Sequence, residues 1–564
     1  MMLEENFPVD VPVLIAGGGP VGVTLAMELA LHGVKSIIIE QRRDLSPSPR
    51  CNTTNARSME IFRRLGCADA VRAAGLPSDF NTDVVYMTRM NGHELTRYER
   101  PTTDDVRAGT MAGVASDWPT PEPQHFISQL FLEPVLRDHA RGAYGIDLRE
   151  GWELIDFTQD EDGVSARARD VESGAEQTFR ARYLVGSDGG RSVVRREIGA
   201  RLEGIPEINN ACTIFFEAPR LSELYRATPG WMYRFAAGGV LVAIDGKDRW
   251  LLHLNRPAGR PFEDGFDPRE AIFAAIGEPF DYQIINEVHW TARALVADTF
   301  RDRRVFLAGD AAHIWVPMGG FGMNAGVGDA VTLGWMLGGV VAGWLDPKIL
   351  DAYQAERAPL GAAVASQAAR WSRDIFALLR ENAPDVNALE ADPAAMRKLG
   401  DAIRAVNLCE FENSGMQFGF VYIDSPIVAY DGTEPPPFTL EEYRETSSPG
   451  ARAPHVVRAA TKTPLFDEFG PAFTLLRIGP NPPDGSVLVA DAARRGLPLT
   501  TVDVPEAEAV RAYEGYGLVL VRPDGHIAWR SRTNPDDARA VLDRVTGVAM
   551  ETSDAPERHR AAVV

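Results

Sequence analysis

Cysteine is scarce: the 564 residues hold four, Cys51, Cys67, Cys212 and Cys409, far apart and never paired as CxxC. Neither a disulfide framework nor a paired-thiol zinc site is therefore expected. The ten histidines show no HExxH and no paired spacing, so no metal site is expected. Any redox chemistry has to come from an organic cofactor. Positive charge is also short, with 58 Lys and Arg against 79 Asp and Glu, a formal charge of -21 and a pI near 5.0. Such a surface repels nucleic acid and anionic membrane, which leaves small molecules as the expected partners. The acidic start, MMLEENFPVD, lacks the basic and then apolar profile of a secretory signal, and a cytoplasmic protein is expected. No uncharged apolar run reaches the ~20 residues a bilayer requires. The longest, about Ala330 to Leu345, is interrupted by Gly334, Gly338, Gly339 and Gly343 and is expected as a buried helix.

What is present is enough chain for about three packed units, with 45% hydrophobic residues, 51 Gly and 39 Pro. Near the start, the β-branched run Val11 to Ala16 meets glycines at once. A helical pattern follows from about Val21 to Leu31, then a second run from Ser36 to Glu40. This reads as strand, turn, helix, strand, a parallel crossover whose ligand site lies beyond the carboxyl ends of its strands. The turn, Gly17-Gly18-Gly19-Pro20-Val21-Gly22, fits GxGxxG. Gly17 permits the tight turn, Gly19 lets a pyrophosphate approach the backbone, and Gly22 allows close helix packing. Glu40 ends the second strand, where a carboxylate accepts ribose hydroxyls and disfavours a 2′-phosphate. FAD and NAD both satisfy this pattern.

Further along, about 79–107 and 201–288 read as alternating strands, with Val240 to Ile244 and Trp250 to Leu254 flanking the turn Gly246-Lys247-Asp248. Phe126 to Gly145 reads as a helix and Val164 to Val185 as paired strands. Beyond Asp310 the pattern is helical to about Val406, punctuated by Pro359 and Pro384. The stretch Asp431 to Pro454, with Pro435-Pro436-Pro437, reads as a linker before a C-terminal unit. The expected partition is 1–78, 116–200 and 289–430 for the nucleotide domain and its helical region, 79–115 and 201–288 for an inserted sheet domain, 431–454 for the linker and 455–564 for the last unit.

Two more motifs narrow the cofactor. Arg304 to His313 is a strand ending in Gly309-Asp310, followed by Gly319-Gly320-Phe321-Gly322-Met323-Asn324 and a helix. Tyr183 to Ser192 carries Asp188-Gly189, with Arg195 three residues on. The order of the three motifs resembles that of the class A, para-hydroxybenzoate hydroxylase-like flavoprotein monooxygenases, from roughly Val11 to Arg357. The C-terminal unit, with Pro449 to His455, Phe473 to Leu476 and Val521 to Arg530, resembles the thioredoxin-like appendage of phenol, dichlorophenol and polyketide hydroxylases. It has no cysteine, which excludes thiol exchange; a structural or dimer-supporting role is expected.

The resemblance implies an α/β fold: a Rossmann-like FAD-binding domain, an inserted antiparallel substrate sheet and a thioredoxin-like C-terminal domain. It implies bound FAD, NAD(P)H as co-substrate, oxygen, a small aromatic substrate and a homodimer or higher homo-oligomer. Asp310 is expected to bind a ribityl hydroxyl, with Gly322, Met323 and Asn324 at a helix N-terminus facing the flavin. Arg50 is expected at the FAD phosphates, Gln129 at the ribityl or flavin region, and Asp188 and Arg195 at FAD and the nicotinamide. Pro317 takes the family's proline position beside the flavin. Phenol hydroxylases commonly place an acidic residue after the arginine that Arg50 matches; this chain has Asn52 there, and an amide is no base near neutral pH. Arg293, His253 and Tyr233 are further polar candidates, and Trp231, Trp250, Trp290, Trp315, Phe215 and Phe216 are candidates for an aromatic pocket. Aromatic hydroxylation is the leading expectation. Baeyer–Villiger or epoxidising oxygenation is the alternative within the class, and a non-oxygenating flavoprotein or dehydrogenase the alternative outside it.

Overall fold

The β-branched run Val11–Ala16 forms the centre of a mixed sheet, where it is almost wholly buried. It pairs in parallel with Ser36–Glu40 on one side and Glu176–Gly186 on the other. Asp147–Glu150 and Val305–Leu307 extend the parallel set, and the hairpin Trp152–Gln159 with Val164–Asp170 is added antiparallel. The computed structural model that shows this describes residues 9–108, 119–263 and 265–550. The acidic start, residues 1–8, and the segment 109–118, where a boundary between sheet and nucleotide domains is expected, lie outside the described residues.

Helix Pro20–Leu31 begins on Gly19 with proline at its first turn and packs against the long helix Phe321–Ala342. The latter is apolar and long enough by composition to cross a membrane, but it runs through the protein core, as expected for the Ala330 to Leu345 run. Its repeated glycines serve that packing. A methyl group on Gly334 would meet Glu28 Cγ at 2.5 Å, and one on Gly338 would meet His32 at 2.6 Å.

The second sheet runs in the order His313–Trp315, Gln283–Ala297, Leu202–Glu217, Arg249–Pro257, Val240–Ala243, Met232–Phe235, Val84–Met87, Glu94–Tyr98. Two expectations need correcting here. The sheet is not purely antiparallel, because Met232–Phe235 pairs in parallel with Val84–Met87. Strand Gln283–Ala297 also continues past residue 288, so the sheet reaches further along the chain, and residues 313–315 return to it.

Helices Ala352–Asn382, Val386–Glu390 and Pro393–Asn407 follow. Pro384 separates the first two as expected, whereas Pro359 lies inside the first. A proline costs a helix one N–H bond, and burial along this 31-residue helix outweighs the loss.

The C-terminal unit has the sheet order Leu499–Val504, Phe473–Ile478, Leu518–Val521, Ile527–Ser531, with one parallel and two antiparallel pairings. With helices Ser486–Arg495, Ala507–Ala512 and Ala538–Val545 this is a thioredoxin-like arrangement. The stretch before it is no free linker. Residues 446–454 are buried, and Arg452 forms a buried ion pair with Glu60 of helix Ala56–Arg64. A second clamp joins Arg522 to Glu356 at 2.6 and 2.8 Å and to Asp524 at 2.5 Å, while Trp335 Nε1 donates to Asp524 at 3.2 Å.

Candidate flavin and substrate site

The first turn is shaped for a dinucleotide. Gly17 has φ +106°, and a Cβ there would lie 2.3 Å from the Ser187 carbonyl; one on Gly22 would lie 2.0 Å from the Gly17 carbonyl. A Cβ on Gly19 would meet nothing within 4 Å, so that backbone borders open space where a pyrophosphate fits. Glu40 Oε2 accepts from Gly18 N at 2.7 Å and Oε1 from Arg42 N at 2.9 Å, which pins the carboxylate over the turn. Behind it, Arg137 donates to the Gly18 carbonyl at 3.0 Å and to Glu150 at 2.9 Å. Arg137 lies two helical turns beyond Gln129, whose side chain bonds Glu133, so the three form a polar stripe along helix Gln129–Tyr144. Local pattern reading misses Arg137 because its partner lies 119 residues away.

Asp310 borders open space at the Gly309–Ala311 turn, yet surrounding protein crowds its carboxyl. Loss of bulk water raises its pKa, and the nearby His313 and Arg50 only partly oppose this. The turn that presents it is held from behind by Asp329, fully buried on helix Phe321–Ala342. Asp329 accepts from Gly309 N at 3.0 Å, His313 Nε2 at 2.6 Å and Arg357 Nε at 2.7 Å. Burial opposes the charge of Asp329, but His313 and Arg357 outweigh it and keep the carboxyl below the usual range. Asp329, which the motifs do not reveal, thus positions this turn, with Arg357 as its partner at the end of the resembling stretch.

Helix Phe321–Ala342 starts on Gly320 at φ +71° with no capping side chain, so its first-turn N–H groups are left for a ligand. Beside that start, Asn324 donates to the carbonyls of Thr53, at 2.9 Å, and Gly320, at 2.6 Å, and accepts from Asn55 N at 2.9 Å. Its side chain therefore ties the helix to residues 53–55, and only the backbone here is left for a ligand. A Cβ on Gly322 would reach ordinary contact with the Trp315 indole nitrogen at 3.9 Å, and Met323 is partly exposed.

Asp188 and Arg195 also act on the protein itself. Asp188 accepts from Ser192 Oγ at 2.5 Å and from Val193 N at 2.7 Å, and Arg195 donates to the carbonyls of Gly190, at 2.7 Å, and Ala311, at 3.0 Å. They lock the Asp188-Gly189 loop to the Gly309–Ala311 turn, a positioning role within the protein itself.

Around this cleft lie the residues expected to act on substrate. Arg50 is exposed and close enough to Asp310 to oppose its pKa shift. Asn52 follows it with a buried Oδ1 that no described residue partners. Pro317 is exposed, and its carbonyl accepts weakly from Gly320 N at 3.4 Å. Arg293 is exposed at a bulge of its strand, without a hydrogen bond to Asn52 or Pro317. Tyr233 is corrected: it is buried on the sheet face opposite its neighbour Arg234, with its hydroxyl on the Thr228 carbonyl at 2.7 Å. Trp250 lies on the same side as Tyr233 and Phe216, within the core.

These features fit FAD: a turn open to pyrophosphate, an acid pinned at the ribose position, a carboxyl bordering open space and an uncapped helix start. Comparison with known proteins agrees. Residues 10–368 match the model of an FAD binding domain, and 446–549 match that of the aromatic-ring hydroxylase C-terminal domain. The chain is 33% identical to a 4-methyl-5-nitrocatechol 5-monooxygenase of Burkholderia sp, over 96% of this chain and 97% of that protein. It is 32% identical to a putative polyketide hydroxylase of Streptomyces halstedii, over 93% of each. The solved structure of RebC with bound 7-carboxy-K252c superposes with a TM-score of 0.86 at 33% identity, covering 96% of this chain and all of that one. With both domains matched in order and the cofactor cleft intact, the chain belongs to the FAD-dependent aromatic-ring hydroxylases, a family of flavoprotein monooxygenases.

Proposed function

We propose that this monooxygenase uses NAD(P)H and O2 to hydroxylate a fused-ring or phenolic aromatic substrate held between the cofactor cleft and the second sheet. The observation that carries this is one chain of contacts: Arg50 lies close enough to Asp310 to oppose its pKa shift, Asn324 ties the helix start at Gly320 to Thr53, and Glu410 joins Gly319 to Arg234 of the second sheet. Bound FAD supplies the oxygen activation, and the protein supplies position, proton control and exclusion of water.

Gly17, Gly19, Gly22, Glu40 and Arg50 hold the dinucleotide end, and Asp310 and Gln129 the ribityl region. The N–H groups at Gly322 and Met323 stabilise negative charge on the reduced ring. Asn52 orients a substrate hydroxyl or a water through its side-chain amide, without removing a proton. Pro317 and Arg293 flank the reacting edge. The relatives' names support the aromatic substrate, and the four free, separated thiols support a cytoplasmic location. Exposed Ile423, Tyr430 and Phe438 support a homo-oligomer, which light scattering measures.

The test is to purify the yellow holoenzyme and follow NAD(P)H and oxygen consumption with simple phenols and polycyclic ketones, tracing labelled oxygen into product. Flavin binding without labelled product would refute oxygenation. Asn52→Ala should lower turnover while leaving FAD content unchanged.

A further inference from the structure

The register of the second sheet places Tyr86, Arg234, Val240, His253, Thr213 and Val288 on one rung across six strands. Directly paired residues share a face, and two contacts from this face reach segments bordering the proposed flavin site. At one end, Arg234 donates to Tyr86 Oη at 3.1 Å and to Glu410 at 2.6 Å, and Glu410 accepts from Gly319 N at 3.3 Å, beside the helix start. From the same face, Asn286 bonds Ser48, just before Arg50.

In the middle of the rung, Trp290 Nε1 donates to Thr213 Oγ1 at 2.9 Å, and Thr213 Oγ1 lies 2.8 Å from His253 Nδ1. An indole N–H only donates, so the threonine oxygen is an acceptor there and its own proton has to go elsewhere. Thr213 is 6% exposed, and Nδ1 is the remaining described partner. The hydroxyl therefore donates to Nδ1, which leaves the proton of a neutral imidazole on Nε2. Burial pushes the His253 pKa down to about 4, so the ring is neutral at physiological pH. The ring is partly exposed and no described residue takes the Nε2 proton. Partly exposed Met232, Val240 and Trp290 lie on the same face.

Resting on the function proposed above, we infer that His253 is a substrate-orienting residue whose Nε2–H donates to a neutral acceptor oxygen, such as a carbonyl, on a flat fused-ring substrate. A carboxylate is not the match, since the rung's cation, Arg234, is neutralised by Glu410 and the imidazole carries no charge.

The test uses the FAD-loaded enzyme and two ligands that differ only in ring carbonyls, beta-hydroxyanthraquinone and beta-hydroxyanthracene, with affinity read from perturbation of the flavin spectrum. Wild type should prefer the quinone. His253→Leu should weaken quinone binding about tenfold, the scale of one lost hydrogen bond, and leave the hydrocarbon within about twofold. His253→Gln, which keeps an N–H donor, should restore most of the preference. Equal weakening of both ligands overturns the inference, and so does an unchanged preference in His253→Leu. If wild type binds neither ligand, the fused-ring substrate class itself fails. A readout independent of any variant is NMR of isotope-labelled histidine in the wild-type holoenzyme: His253 should be the Nε2–H tautomer, and an Nδ1–H tautomer overturns the assignment.

Discussion

Asp329 and Arg357 stand on successive long helices, and Arg357 Nε donates to Asp329 Oδ1 at 2.7 Å with both side chains buried. The same carboxylate takes the N–H of Gly309, so this ion pair sets the position of the turn that carries Asp310.

Replacing Asp329 by Ala strands a buried guanidinium and removes the anchor of the turn. Such a break costs about 3–5 kcal/mol, so the variant should show a clearly lower denaturant midpoint and lose FAD during gel filtration. Asp329→Asn, which keeps the shape but not the charge, should fall between it and wild type.

Asp310 makes the opposite trade. Its carboxyl is harder to ionise in the folded protein than in the unfolded chain, because burial outweighs His313 and Arg50. Its charge therefore costs stability above the folded pKa, and the cost disappears below the unfolded value of about pH 4. Asp310→Asn should raise the Tm of the flavin-free protein at pH 7, with the gain fading on acidification, and Asp310→Ala should lose flavin occupancy. A gain that grows towards low pH would contradict this sign.

The glycines and Glu40 are legible in the sequence because each acts within one strand-turn-helix unit, where spacing alone states the geometry. Asp329 and Arg137 are not legible: each meets partners brought together by tertiary packing, and a buried charge on a helix has no periodic signature. Asp188 and Asn324 illustrate a different gap. Their motifs locate the right loops, but only the structure shows side chains consumed in bracing them. Pro359 shows burial outweighing a local helix-breaking signal.

The four thiols should be inert. Burial pushes Cys51 up to about 11 and both Cys67 and Cys212 up to about 12, and raises Cys409 as well. Thiolate is the reactive form, so native enzyme at pH 8 should take up iodoacetamide far more slowly than urea-unfolded enzyme.

The ion pair of Arg452 with Glu60 should matter far more than the exposed one between Arg63 and Asp467. Arg452→Met leaves Glu60 buried with Arg57 as its remaining ion-pair partner, a loss of up to about 3–5 kcal/mol. Asp467→Ala, which removes the exposed pair and leaves the Arg63 contact to buried Glu122 in place, should cost under about 1 kcal/mol. Limited proteolysis between residues 431 and 454 should speed up in the first variant only.

That pairing also dictates when the molecule becomes itself. Glu60, already beside Arg57, meets its second arginine 392 residues downstream, and Glu356 meets its arginine 166 residues later. A nascent chain carrying every flavin-binding motif still lacks the cations that complete these buried pairs until Arg452 and Arg522 have left the ribosome. The two clamps that join the C-terminal region to the flavin-binding domain are thus the last of these buried ion pairs to be completed during synthesis.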